Sequence, residues 1–215
     1  MRKLDALVMA GGKGKRLGLD IEKPMLEVAG IPMVKRVIDA CLGSDHIDQI
    51  HVAVSGNTPA TEKYVDSLGL ARVSSIRTPG LNYHEDMKQA IRNLGSLGSR
   101  QFLVVSADLP FLEPRIIDEV AIRYLASQKP ALVVLAPLVL FMKMGLKPSW
   151  VMKVADEECV PCGINVVDGS RIGEAQLEEE VLVIRDPRAC ANVNSPMDLE
   201  ALRREVSLDP WVSRA

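Results

Sequence analysis

The chain has 215 residues, 47% hydrophobic and 25% charged, with a formal net charge of −2. This composition excludes a disordered chain, and the near-neutral charge excludes general nucleic-acid binding, leaving any cationic site local. No stretch of 18 apolar residues and no signal-peptide pattern is present, so the expectation is a cytoplasmic protein with no membrane span.

The first element is a buried strand, Leu4–Met9, which stops at Ala10-Gly11-Gly12. Gly12, Gly14, Gly18, Lys13, Lys15 and Arg16 follow, and then an isolated Lys23-Pro24. Glycines let backbone N–H groups approach an anion and cations hold it, so this loop reads as a phosphate site. It is neither of the two commonest phosphate signatures. A P-loop would need glycine at Met9 and Ser or Thr at Arg16, and the dinucleotide fingerprint would need glycine at Leu17. The plain alternative is a surface turn with no ligand.

Met33–Leu42 reads as a helix with Val34, Val37, Ile38 and Cys41 on one face, and Ile47–Val54 as the second strand. Pro59 opens a helix to about Leu68, Ala71–Ile76 is a short third strand, and Glu85–Leu97 is a helix. Phe102–Ser106 is a fourth apolar strand, and Pro114 opens a helix to Ala126. Beyond Pro130, the apolar stretches Ala131–Met142 and Val160–Val167 read as strands, one of them antiparallel. Ser195 followed by Pro196 starts a last helix through Leu199, Leu202 and Val206. The alternation implies a largely parallel, helix-covered sheet in one domain over residues 1–207, with a loose tail at 208–215.

Ligands of such a sheet bind beyond the carboxyl ends of its strands. Four ends are polar or glycine-rich: Ala10–Gly18, Ser55–Thr58, Thr78–Gly80 and Ser106–Pro110. Asp108, directly after an apolar strand, is where a Mg²⁺ ligand belongs; the alternative is a loop Asp capping its own turn. Cys159 and Cys162 have zinc-knuckle spacing, but no second pair completes a site, so Cys41, Cys159, Cys162 and Cys190 read as reduced structural cysteines. No Ser/His/Asp or Cys/His nucleophile set is visible.

Met9-Ala10-Gly11-Gly12-Lys13-Gly14-Lys15-Arg16-Leu17-Gly18, with Lys23-Pro24, Asp108 in Ser106-Ala107-Asp108-Leu109-Pro110 and Asn192 to Leu199, resembles the MobA-like nucleotidyltransferase superfamily. Pro161 to Val167 and Ser55 to Pro59 narrow the resemblance to archaeal GTP:adenosylcobinamide-phosphate guanylyltransferases. Two positions depart from that pattern: Lys15 stands where Thr is common, and Asn82 where a second glycine is often found.

The resemblance implies an α/β fold of the Rossmann-like three-layer sandwich type, with a mainly parallel sheet and at least one antiparallel strand. It implies transfer of GMP from GTP to adenosylcobinamide phosphate with release of pyrophosphate. A molybdenum-cofactor guanylyltransferase and a non-catalytic nucleotide-binding regulator are the alternatives. Arg16 and Lys23 are then the catalytic cations, and Ala10, Gly11, Gly12, Gly14, Lys15, Asn57, Thr58, Gly80 and Ser106 the nucleotide-binding set. Gly163 and Asn165 face the acceptor, and Asp108 and Asn194 hold Mg²⁺. The implied partners are small molecules, GTP and a corrinoid phosphate; a homo-oligomer stays open.

Overall fold

Strand β1 (Leu4–Met9) is buried along its whole length and lies in the middle of the sheet. In the computed structural model the described residues are 3–12, 14, 21–95, 101–148, 150–195, 197–198, 200 and 202. After β1 come a small hairpin, β2 (Glu27–Val28) and β3 (Ile31–Pro32), then α1 (Met33–Leu42), β4 (Ile47–Val54), α2 (Pro59–Ser67) and β5 (Val73–Arg77). Next are α3 (Tyr83–Gly95), β6 (Gln101–Ser106), α4 (Pro114–Ala126), β7 (Ala131–Pro137) and α5 (Leu138–Lys143). The chain continues with β8 (Met152–Val154), β9 (Glu157–Asp168) and β10 (Glu179–Val183).

The strand order is β10-β7-β9-β6-β1-β4-β5, with β8 paired to β9. β9 runs antiparallel to β6, β7 and β8, while the β1/β4, β1/β6, β4/β5 and β10/β7 pairs are parallel. β1 is apolar on both faces because both faces are covered. Leu4, Ala6 and Val8 join Val34, Val37 and Ile38 of α1 and Ile116, Ile117 and Val120 of α4 in the larger core. Leu7 and Met9 pack on the other face with Phe102, Val104 and Ala90, Ile91 and Leu94 of α3. This is the expected three-layer sandwich with one reversed strand.

That topology fixes where a ligand sits. From β1 the chain winds to β4 and β5 on one side, then returns to β6 on the other. Such a reversal opens a crevice at the carboxyl ends of the two strands that flank it. The glycine loop follows β1 and Asp108 follows β6, so the crevice lies between them.

The structure departs from the sequence reading in several places. Ala131–Met142 is not one strand: the ladder ends at Pro137, paired with Cys159, and α5 begins at Leu138. The reason is helical spacing, which buries Phe141 and leaves Val139 and Met142 exposed. The third strand starts at Val73, and α3 starts at Tyr83, where the Asn82 carbonyl and side chain accept from the amides of Asp86 (3.0 Å) and Glu85 (3.0 Å). The hairpin β2–β3 and the strands β8 and β10 are short and carry no periodic signal long enough to read. The tail over 208–215 lies outside the described residues. Among the described residues no helix is long and apolar enough to cross a membrane.

A Ser/His/Asp cluster also exists, although none was visible in sequence. Asp118 Oδ1 accepts from Ser44 Oγ (2.6 Å) and the Asp45 amide (3.1 Å), and lies 2.8 Å from His46 Nδ1. It sits before β4, at the end of the sheet opposite the crevice, and both side chains bind one carboxylate oxygen. This arrangement fastens the α1–β4 connection to α4. Partial burial pushes the Asp118 carboxyl up, but the hydrogen bonds from Ser44 and His46 outweigh it and hold it below the usual range.

Candidate active site

Three distant segments meet at one ammonium group. Lys23 Nζ is ion-paired with Asp108, 85 residues away, and donates to Asn194 Oδ1 at 2.9 Å. The side chains of Lys23 and Asp108 are 19% and 15% exposed, so water screens the pair only partly. Local structure fixes each partner. Lys23 opens a 3-10 turn, Lys23–Met25, whose second residue, Pro24, is buried. Asp108 lies in the turn after β6, and its carbonyl accepts from the Val193 amide at 3.0 Å. Asn194 is held by a reciprocal cap. Its amide and that of Ser195 each donate to Asp198 Oδ2 at 2.8 Å, while the Asp198 amide donates to Ser195 Oγ at 3.2 Å.

The glycine loop leans on the same lysine. Gly14 has φ +56°, and a Cβ there would stand 3.1 Å from Lys23 Cβ. A side chain at this position would be strained in backbone and crowded in space. The next strand end braces the loop from below: Ser55 Oγ donates to the Gly11 carbonyl at 2.7 Å. The Asn57 amide and its Nδ2 both donate to Ser55 Oγ at 3.1 Å, and Thr58 Oγ1 accepts from the Ser55 amide at 3.1 Å. Thr58 is fully buried, so it holds this turn and does not face the crevice.

A cavity of about 460 Å³ opens above these elements. Ala10, Gly11, Gly12, Gly14, Lys23, Gly80, Ser106, Asp108 and Asn194, all named from sequence, line it. Asn57 and Thr58 do not. The Ala10 amide is already bonded to the Ala53 carbonyl at 2.8 Å, so Ala10 contributes shape and not an anion-binding N–H. Lys15 and Arg16 lie outside the described residues. A second cavity of about 220 Å³ shares the Ser106 and Asp108 wall, and Gly163 lines it together with Phe141, Lys147 and Trp150. Here β9 is irregular: its register against β7 slips between Val133 and Leu135, and Gly163 has φ +75° with its Cα turned onto Ser106. Bulges beside a site re-aim the side chains that follow.

Asn165 lies on that bulged strand, is not among the residues that line either cavity, and is hydrogen-bonded with the Tyr83 hydroxyl. Burial of the phenol, and then the charge of Asp108, push the Tyr83 hydroxyl well above its ordinary range against the pull of Asn165. Tyr83 as a residue is 39% exposed and lines the first cavity. Tyr83 was not singled out in sequence, because an aromatic before an amphipathic helix reads as packing. Glu22 was missed for a similar reason: its partners lie on another element, whereas Asp86 binds the turn just before its own helix.

The four thiols are free and buried. A hydrogen bond with Cys190, and then burial, hold the Cys162 thiol well up, and burial pushes Cys41 up to about 12. Among the described residues no three His, Cys, Asp or Glu side chains converge as a metal cluster.

Residues 6–140 match the MobA-like NTP transferase domain. The chain belongs to that family. As a MobA-like transferase it is a nucleotidyltransferase, and its relatives bear on the substrates. It is 33% identical over 201 residues to the adenosylcobinamide-phosphate guanylyltransferase of Methanocaldococcus jannaschii, covering 92% of this chain and 94% of that one. It is 27% identical over 120 residues to a probable molybdenum cofactor guanylyltransferase of Natronomonas pharaonis, covering 55% of each. Among solved structures, CMP:2-keto-3-deoxy-manno-octonic acid synthetase complexed with CTP superposes with a TM-score of 0.73, at 14% identity, over 95% of this chain and 98% of that one. That likeness concerns the fold.

Proposed function

We propose that this MobA-like transferase moves GMP from GTP to the phosphate of adenosylcobinamide phosphate and releases pyrophosphate. The observation that carries the reading is the extent of the match to the Methanocaldococcus enzyme, 33% identity over 92% and 94% of the two chains. The molybdenum-cofactor alternative rests on 55% of each chain. A non-catalytic nucleotide binder has no need of a charged centre at the wall shared by two cavities, and the Lys23–Asp108–Asn194 convergence favours an enzyme.

The acceptor phosphate is already an anion near neutral pH, so no general base is required. An acceptor oxygen forms a bond to the α-phosphorus of GTP as the bond from that phosphorus to the bridging oxygen breaks, and pyrophosphate leaves with the electron pair. Both reactants are negative, so the barrier is one of charge and alignment. In this reading the triphosphate lies along the Gly11–Gly14 loop in the first cavity, and the acceptor enters through the second. Lys23, in the first cavity and ion-paired with Asp108 of the common wall, supplies positive charge where it develops on the α-phosphate. Asn165, held by Tyr83, orients the incoming phosphate. Arg16 and Lys15 compensate the departing pyrophosphate, a role carried from the sequence pattern.

Asp108 and Asn194 suit Mg²⁺. Both present hard oxygens, and both already bind one cation, the Lys23 ammonium. Two protein oxygens with the remaining positions left to phosphate and water is the usual Mg²⁺ arrangement. When bound, the ion adds charge neutralisation at the phosphates. The test is pyrophosphate release from GTP with adenosylcobinamide phosphate, against molybdopterin and a no-acceptor control. Release that is equal with and without acceptor would rule the reading out.

A further inference from the structure

Among the described residues Asp86 is the one carboxylate besides Asp108 in the wall of the first cavity, and it is 5% exposed. It sits in the first turn of α3. Its Oδ1 accepts from the backbone amides of Gly80 at 2.9 Å and Leu81 at 3.2 Å, which fixes the rotamer. Among the described residues nothing donates to Oδ2, and no Lys, Arg or His is ion-paired with this carboxylate. No fully enclosed polar side-chain atom among them lacks a partner, so Oδ2 keeps an opening, and the cavity is the space that Asp86 lines. A carboxylate this buried has a strong preference for a donor, and water or a ligand must supply it.

We infer that Asp86 is the residue that reads the base, accepting from the N1–H and 2-amino donors of guanine. The inference rests on the reading that the first cavity holds the nucleotide. Guanine presents two adjacent donors on its Watson–Crick edge. Adenine presents an acceptor at N1 and cytosine an acceptor at N3, each of which a carboxylate repels. An ionised acceptor makes stronger and more discriminating hydrogen bonds than a neutral one, and a site built for a donor rejects an analogue that lacks it. The alternative is that Asp86 only holds the Gly80–Leu81 turn, which its Oδ1 does already.

The experiment is equilibrium binding of GTP, ITP, XTP and ATP to the wild-type chain and to Asp86→Asn. In the variant the Asn oxygen still accepts from Gly80 and Leu81, and the amide NH₂ replaces Oδ2. Wild type is expected to prefer GTP over ITP, which lacks the 2-amino group, by roughly tenfold or more. The variant is expected to lose GTP affinity by about a hundredfold and to gain XTP, whose 2-carbonyl accepts from the new NH₂. Wild-type affinity of D86N for GTP, with no gain for XTP, would overturn the inference and leave Asp86 a turn-holding residue. Should D86N fail to fold, the GTP-to-ITP ratio of the wild type decides, and equal affinities overturn it. Binding of none of the four nucleotides overturns the functional reading itself, and this inference with it.

Discussion

Glu22 and Thr61 are 39 residues apart, and the carboxylate of one caps the helix that carries the other. Glu22 Oε2 accepts from the Thr61 amide at 2.7 Å and the Thr61 hydroxyl at 2.6 Å, while Oε1 accepts from the Ala60 amide at 2.7 Å. The local cap residue of α2, Thr58, makes no side-chain cap bond, so Glu22 performs that role from another segment. It also anchors the residue immediately before Lys23. Glu22→Ala should therefore cost about 1–2 kcal/mol of stability and lower kcat more than the KM for GTP, because the lysine loses its footing. Glu22→Gln keeps one acceptor oxygen and should recover part of both losses. Urea unfolding with steady-state kinetics checks this; an E22A enzyme with full kcat would make the tether a structural cap alone.

Lys23→Ala removes the ammonium shared by Asp108 and Asn194. Turnover should fall by about a hundredfold to a thousandfold, the usual effect of losing a charge-stabilising donor. The same substitution frees two oxygens from a competing cation, so Mn²⁺ or Mg²⁺ should bind more tightly to the nucleotide-free variant than to wild type. Calorimetric metal titration beside single-turnover kinetics reads both. Retained turnover would remove Lys23 from the reacting centre.

Much of this site was legible because its residues sit at strand ends, where the change from apolar strand to glycine or acid is a local signal. Ala10, Gly11, Gly12, Gly14 and Asp108 were readable in that way, Lys23 and Asn194 through the motifs that carry the family resemblance, and the fold brings them to one cavity. Thr58 misled because a Thr before a Pro at a strand end looks the same whether its hydroxyl faces a ligand or its own turn. Tyr83 and Glu22 were illegible for the opposite reason: each acts through a partner on another element. Pro137 sits in an apolar stretch that has no periodicity of its own, so only packing separates β7 from α5.

Gly163→Ala tests the bulge of β9. At φ +75° an alanine costs roughly 1–2 kcal/mol, and its Cβ would meet Ser106 Cβ at 3.3 Å. Ser106 belongs to both cavities, so the push should reach the acceptor side as well. The expectation is a loss of stability of about 1–2 kcal/mol and a raised KM for the acceptor, with GTP binding little changed. Thermal unfolding and two-substrate kinetics together measure it; a variant as stable as wild type would show that β9 relaxes without strain.

Trp150 stands at the second cavity, 60% exposed, with Lys147 and Phe141 on the same wall. A large exposed aromatic beside a cation suits an acceptor that joins a bulky apolar body to a phosphate. Trp150→Ala should raise the KM for adenosylcobinamide phosphate by roughly tenfold or more while the KM for GTP stays within about twofold. Trp150→Phe should keep most of the affinity. An unchanged acceptor KM in the alanine variant would mean that the acceptor approaches elsewhere.

Asp118 sets a pH dependence remote from chemistry. Its carboxyl is held below the usual range in the folded chain, against an unfolded value near 3.9. The folded state therefore binds this proton less readily than the unfolded one. The stability that results is fully present above about pH 4 and is lost as pH falls through the depressed folded value. Asp118→Asn removes the charge that Ser44 Oγ, at 2.6 Å, and His46 Nδ1, at 2.8 Å, both contact. It should destabilise the protein by about 1–3 kcal/mol near neutral pH. The gap between wild type and variant should then narrow in urea unfolding from pH 4 downward, since protonation brings the wild-type carboxyl toward the neutral amide. Turnover at pH 7 should be unaffected, because the cluster lies at the far end of the sheet from Asp108. A stability gap that stays constant down to pH 3 would show that the ionised carboxylate adds nothing a neutral acceptor does not.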